Sequence, residues 1–371
     1  ADRDDVLPVA VASLLWAVAF DRVYAAGLAF VLSFLVARMH PEPMYLFPIL
    51  LAGTLAGALS LNAVRSRTKL MKVGAIAGLA YFIVAVAEGI IADQPIGLVL
   101  REAAWRGGGG VIAGFFLSGC LPFVEQAFGI ITAISLKELA DNSHPLLREL
   151  VRKAPGTFNH SWTVSILGET AAKAIGCDSE LVRVGAVFHD IGKMNKAQYF
   201  IENKAPEERN RHDLLAPAMS TLVIIGHVKD GLDLGRQHHL PQPILDMIEQ
   251  HHGTTRVDYF YREATRAFRE NPDPDEEVEE SAFRYPGPRP QSKEAAVLML
   301  TDCVESATRA LSEPTPARIE KLVHSLAMNR LLDGQFDESG LTLSELRTVE
   351  ESLTKSLASV YHGRVKYTAA V

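Results

Sequence analysis

The sequence predicts an all-α protein in two parts, a set of membrane-crossing helices followed by a soluble, all-helical domain, and three observations carry that expectation. Apolar residues are concentrated before about residue 130, in stretches at 7–20, 23–37, 44–62, 73–92 and 108–129. Beyond them, apolar positions recur at helical spacing, helix after helix, with no run of alternating strands. Eight of the 12 histidines fall between His160 and His252, a clustering that composition alone does not explain.

The chain of 371 residues is long enough for two domains or more, so its regions are read separately. A hydrophobic fraction of 48% is high for a soluble protein, and the excess lies in residues 1–130. A net charge of -7 leaves no basic field for gripping a long nucleic acid, although a small anion is still within local reach. Cys120, Cys177 and Cys303 are far apart and lack the paired spacing of a zinc knuckle or a secreted disulfide scaffold, which fits a reducing compartment. The chain starts at Ala1 without an initiator Met or a signal-peptide n-region, so it is expected to be a fragment.

A bilayer-spanning helix needs about 20 mostly apolar residues, which the last three stretches supply. The first two are shorter and divided by Asp21 and Arg22, and are read as two tilted spans joined by a tight turn, giving about five spans in all. The most basic short loop, Arg65-Ser-Arg-Thr-Lys-Leu-Met-Lys72, is assigned to the cytoplasm. Threading onward places the loop around Asp93 outside and everything after residue 130 in the cytoplasm, with Arg101 and Arg106 weighing against that orientation. Gly107 to Gly110 is read as opening the last span as a flexible or closely packed entry, and Trp105 as an aromatic at the outer interface.

Residues 131–152 predict a polar-faced helical connector with a turn at Asn142-Ser-His-Pro, and residues 153–371 the soluble domain. Helices are expected over Ala216–Gln237, Pro243–Gln250 and Lys293–Leu311. The acidic, proline-broken stretch Asn271–Glu280 predicts a solvated loop, and Thr342-Leu-Ser-Glu345 a capping box for the last helix.

Within the histidine-rich region, His160, His189, His227, His251 and His252 stand out as ligand candidates, together with Asp190 and Asp302. Imidazole nitrogen and carboxylate oxygen suit Fe, Mn or Zn, and the lack of cysteine partners argues against a structural zinc site. Each has a plainer reading: His160 as a cap-region residue, His227 as a satisfied core histidine that Gly226 lets approach closely, and His189-Asp190 as a chance pair. Successive helix positions point about 100° apart, so His189 and Asp190 on one helix serve neighbouring ions without strain. Two imidazoles at His251-His252-Gly253 have no packing reason to end a helix. Asp302 lies in an apolar helix, where an unpaired carboxylate costs several kcal/mol by order of magnitude. His212, His238 and His239 read as solvated or capping.

Taken together, these seven residues resemble the extended metal pattern of the HD superfamily, in a variant with enough ligands for two ions. Ala154-Pro-Gly-Thr-Phe-Asn-His-Ser161, His251-His-Gly-Thr-Thr255 and Phe283-Arg-Tyr-Pro-Gly-Pro-Arg-Pro-Gln-Ser-Lys293 make the chain similar to a narrower family, the seven-transmembrane HD phosphohydrolases of the PgpH-like, cyclic di-AMP-degrading type. The resemblance runs from the first apolar stretch to the C-terminus. Two departures stand out: the family's extracellular domain and two further spans have no counterpart here, and the Gly-Tyr-Pro signature of cyclic-di-GMP-cleaving relatives is replaced after His252 by Gly-Thr-Thr.

The resemblance implies a metal-dependent phosphodiesterase of a bacterial inner membrane, with its catalytic domain in the cytoplasm, that converts cyclic di-AMP to the linear dinucleotide pApA. It implies two divalent transition-metal ions, Fe or Mn before Zn, Co or Ni. One would be held by His160, His189, Asp190 and Asp302, the other by Asp190, His227 and one of His251 and His252. Asp190, Lys193 and His252 would serve catalysis, with Lys193 near the face of His189 and the spare histidine touching phosphate. Arg284, Tyr285, Arg289 and Lys293 would bind substrate, the tyrosine by stacking a purine. Partners would be the cyclic dinucleotide and the lipid bilayer, with a homodimer left open. The competing readings are another cyclic dinucleotide or nucleotide as substrate, or a nucleotide sensor without turnover.

Overall fold

The computed structural model describes residues 6–20, 22–41, 43–61, 66–128, 131–141, 143–205, 207, 209–270 and 278–362. The Asn142 turn residue and most of the acidic stretch, 271–277, lie outside them. The chain divides into two units, Ala1–Ser135 and Leu136–Val371.

The first unit contains α1 (Val6–Ala19), α2 (Arg22–Met39), α3 (Pro43–Ser60), α4 (Arg67–Ile91) and α5 (Ile96–Phe128). Arg22–Met39, Arg67–Ile91 and Ile96–Ala127 are long and apolar enough to cross a membrane, whereas Val6–Ala19 and Met44–Ser60 are apolar but shorter. The second stretch therefore outruns its expected length, because its helix continues through Arg22 and Arg38, which a count of apolar residues leaves out. Helix α5 also begins earlier than expected. Arg101 and Arg106 lie within it rather than in a loop, and Gly107–Gly110 sits inside the helix rather than opening it.

The reason is packing against α4. A Cβ on Gly78 would stand 2.4 Å from the Gly107 carbonyl oxygen, one on Gly110 2.5 Å from the Gly78 nitrogen, and one on Gly74 2.7 Å from the Gly114 Cα. Close backbone approach is what small residues give to helix pairs in lipid, and here it outweighs the poor helix propensity of glycine.

Helix α6 (Ala133–Leu139) runs across the boundary, and the second unit continues with α7 (Pro145–Lys153), α8 (Pro155–Ile175), α9 (Ser179–Phe188), α10 (Pro217–Gln237), α11 (Gln242–Gln250), α12 (Asp258–Glu270), α13 (Lys293–Arg309), α14 (Pro316–Leu332) and α15 (Leu343–His362). Among the described residues the one β feature is an isolated bridge between Arg256 and Arg284. Helix α13 is apolar all round over Ala295–Leu300, so it can only be stable inside. It packs on α8, α9, α11, α14 and α15, and Val164, Leu167, Val182, Ala186 and Val349 share its apolar cluster.

Local signals fix the helix ends. Asp178 accepts from the amides of Glu180 and Leu181 to start α9, and Gly176 ends α8 in the left-handed region at φ 74°. The capping box of α15 forms as its sequence predicts: the Glu345 amide donates to Thr342 Oγ1 at 3.2 Å and the Thr342 amide to Glu345 Oε2 at 2.9 Å.

Candidate metal centre

Five elements converge on one point. Helix α8 supplies His160 from its second turn, the end of α9 supplies His189 and Asp190, α10 supplies His227, the end of α11 supplies His251 and His252, and α13 supplies Asp302. Phe188, fully buried, anchors the end of α9. The helix stops there: Asp190 has φ -107° and ψ 14°, and a 3₁₀ stretch runs over Ile191–Tyr199. His189 and Asp190 are thus brought together by a helix end rather than by one continuous helix.

Gly192 sets the distance to α10. Its Cβ would stand 1.9 Å from the His227 carbonyl oxygen and 2.4 Å from the Gly231 nitrogen. The close approach expected at Gly226 therefore occurs at Gly192 and Gly231, since a Cβ on Gly226 would meet nothing nearer than Lys196 Nζ at 3.7 Å.

The seven candidate ligands form two groups, His160, His189 and Asp302 in one and Asp190, His227, His251 and His252 in the other, each with its donor atoms within 4.8 Å of one another. Asp190 faces both. Its Oδ2 lies 3.2 Å from His189 Nε2 and 3.7 Å from His160 Nε2, while its Oδ1 lies 3.2 Å from His227 Nε2 and 3.7 Å from His251 Nε2. Asp302 Oδ1 reaches His160 Nε2 at 2.9 Å and His189 Nε2 at 3.8 Å, and its Oδ2 lies 3.9 Å from His252 Nδ1.

Proton positions favour a cation in this space. The Nδ1–H groups of His189, His227 and His251 donate to the carbonyl oxygens of Ala186 (2.7 Å), Ile224 (2.5 Å) and Ile248 (2.8 Å), so each neutral ring turns an unprotonated Nε2 inward. His227 Nε2 and His251 Nε2 are 3.3 Å apart, lone pair facing lone pair. His189 Nε2 and Asp190 Oδ1 are buried without a hydrogen bond, and Asp190 Oδ2 has the Lys193 ammonium as its ion-pair partner. Buried polar atoms are costly in that condition, and a divalent ion in each group would satisfy them.

Burial pulls the His189 pKa down, but the Asp190 and Asp302 carboxylates outweigh it and bring it up to about 10, while burial and the charge of His189 push His251 down to about 3. Burial opposes ionisation of Asp190, yet His189 and Lys193 hold its carboxyl well below the usual range.

Lys193 stands beside Asp190 rather than His189, because residues three apart eclipse in a 3₁₀ helix. Its Nζ is 2.7 Å from Asp190 Oδ2 and 3.1 Å from Glu202 Oε1. Tyr285 is buried and its ring lies on His252. Arg284 bonds Glu280, Asp333 and the Thr254 carbonyl, Arg289 lies 3.6 Å from Asp337, and Lys293 lies 2.5 Å from Glu345. His212 is not solvated: it is buried against Phe260 and donates from Nε2 to the Tyr199 carbonyl at 2.9 Å. His238 does end α10.

Two neighbours of the cluster escape a sequence reading. Glu305 contacts His160 Nδ1 at 2.6 Å; its position one turn after Asp302 on the same helix was the available signal. Glu202, held by the Thr157 hydroxyl at 3.1 Å, arrives from a single 3₁₀ turn, Ile201–Asn203, too short for periodicity to mark it.

Membrane-type helices joined to a helical domain with a divided His/Asp cluster define an HD-type protein on a membrane unit. Residues 5–132 match the family described as 7TM receptor with intracellular HD hydrolase, and residues 157–307 match the HD domain. The chain is 38% identical over 321 residues to the cyclic-di-AMP phosphodiesterase PgpH of Bacillus subtilis, covering 85% of this chain and 44% of that one. It is 43% identical over 249 residues to the cyclic-di-AMP phosphodiesterase PgpH of Listeria monocytogenes, covering 67% and 34%. The chain thus spans less than half the length of these curated relatives.

The crystal structure of the L. monocytogenes PgpH HD domain in complex with cyclic-di-AMP matches with a TM-score of 0.55 at 44% identity, over 60% of this chain and 100% of that chain. The chain belongs to the seven-transmembrane HD-domain phosphohydrolase family.

Proposed function

We propose that this protein is a metal-dependent phosphodiesterase that hydrolyses cyclic di-AMP to pApA. The single observation that carries the metal chemistry is Asp190, whose two carboxylate oxygens are divided between two ligand groups. The substrate assignment rests on the relatives at 38% and 43% identity, both cyclic-di-AMP phosphodiesterases.

His160, His189, Asp302 and Asp190 would hold one divalent ion, and Asp190, His227 and His251 the other; Fe and Mn suit such a donor set. When bound, two such ions lower the pKa of water and stabilise charge on attacking and leaving oxygens. The protein's own residues prepare that chemistry. Lys193 holds the Asp190 carboxylate in its shared position, and Glu202 holds Lys193. His252, the one partly exposed member of its group, is assigned to a phosphate oxygen.

Arg284, with its acidic partners and the Thr254 carbonyl, is assigned to holding the proline-rich loop. Arg289 and Lys293, half-exposed with one acidic partner each, are assigned to phosphate.

The catalytic unit is assigned to the cytoplasmic face of a bacterial inner membrane. With Arg101 and Arg106 inside α5, the connection Ala92–Pro95 carries no basic residue, which favours placing it outside.

The test is turnover by the whole chain in detergent with cyclic di-AMP and Mn, followed by chromatography. pApA is the expected product; intact substrate at the end overturns the proposal.

A further inference from the structure

Among the three imidazoles whose Nδ1 donates to a backbone carbonyl, the partner is always the residue three positions back in the same helix. His160 is built differently. Its Nδ1 lies 2.6 Å from the Glu305 Oε2 carboxylate oxygen, and its Nε2 turns to Asp302 Oδ1 at 2.9 Å. Glu305 is itself buried, 4% exposed, and its second oxygen accepts from Arg309 one turn further on. Asp302, Glu305 and Arg309 thus form a ladder on one face of α13, with His160 seated across its first two rungs.

A hydrogen bond to a carboxylate is roughly twice as strong as one to a neutral carbonyl, and it pulls the shared proton further from the ring. The electron density left on Nε2 makes His160 a better donor than His227 or His251. A buried negative charge beside the ring adds attraction for a cation in that group, while His227 and His251 in the other group are backed by neutral carbonyls.

We infer that Glu305 is a positioning residue that makes the two ion positions unequal, rendering the His160–His189–Asp302 position the tighter of the two. The inference rests on the metal-binding reading above and goes beyond it by assigning an order of filling. The protein at low metal holds its first ion between α8, α9 and α13, and activity requires the second, weaker position to fill. Turnover then follows the available metal concentration at the His227–His251–His252 group.

The experiment is a Mn(II) titration of the whole chain in detergent after chelation, followed by loss of the free-ion electron paramagnetic resonance signal. Wild type should bind in two steps. Glu305→Gln keeps an acceptor for the Nδ1 proton but removes the charge, and should weaken the tight step by about ten- to a hundredfold while leaving the other within about twofold. Glu305→Ala should weaken it further, and His227→Gln should weaken the other step instead, which identifies the two. Far-UV helical signal and melting temperature in chelator serve as folding controls; if Glu305→Ala fails them, Glu305→Gln alone decides.

Unchanged isotherms in the Glu305 variants overturn the inference. Equal weakening of both steps also overturns it, because Glu305 is then merely structural. A wild type that takes up no ion overturns the metal-binding proposal itself and this inference with it.

Discussion

Tyr285 lies along His252, with ring centroids 4.3 Å apart and planes inclined by 29°. One face of the tyrosine is therefore already occupied by a member of the ligand cluster, and the ring is 8% exposed. Tyr285→Ala is expected to reduce turnover of cyclic di-AMP and of a simple phosphodiester reporter alike, through kcat, and to cost about 3 kcal/mol of stability. Tyr285→Phe keeps the stack and should stay within about twofold of wild type on both. Loss confined to KM for cyclic di-AMP would instead assign the ring to base recognition.

The shared carboxylate gives a sharper expectation. Asp190→Asn should lower bound metal from about two ions per chain to fewer than one, because both groups lose a common donor. Elemental analysis after gel filtration checks this; retention of two ions would exclude a bridging role.

Gly192→Ala tests the architecture rather than the ligands. The added methyl would stand 1.9 Å from the His227 carbonyl oxygen, so α10 must move away from the segment that carries Asp190. A loss of about 3 kcal/mol in urea unfolding under chelating conditions is expected, at the upper end of ordinary overpacking. An unchanged midpoint would show that the two segments separate freely.

The Lys293–Glu345 pair predicts a pH signature remote from the cluster. Lys293 and the Thr342 amide lower the Glu345 pKa from 4.5 to about 2. A carboxyl depressed on folding stabilises the native state above its unfolded pKa, and that contribution fades as pH falls from 4.5 toward 2. Glu345→Gln should flatten the melting-temperature profile across that window; a profile parallel to wild type would show that the pair contributes nothing there.

Much of this was legible in the sequence because it depends on chemistry that few residues can supply. His251-His252 and Asp302 are costly unless they meet partners, so their presence in apolar helices announced a site. Thr342 and Glu345 announced a cap for the same reason of limited alternatives. What escaped depends on packing geometry. The start of α5 was hidden because a glycine run marks either a flexible entry or a close approach, and only the second helix shows that the run lies inside α5. The placement of Lys193 turned on a change from α to 3₁₀ winding that no periodicity over three residues can reveal. The pairings of Arg284 with Asp333, Arg289 with Asp337 and Lys293 with Glu345 span about fifty residues in sequence, and so have no local signature.

The glycine contacts between α4 and α5 also restrict how that pair of helices can move. With the backbones of Gly74 and Gly78 set directly against those of Gly107, Gly110 and Gly114, axial sliding by one residue would drive a neighbouring side chain, such as Val111 or Ala77, into a gap that cannot hold even a methyl group. The two helices therefore behave as one rod, resisting shear along their seam and transmitting displacement only by tilting or turning together. A bulky substitution at Gly78 would not merely loosen this rod; it would uncouple its halves and convert a stiff lever into two independent ones.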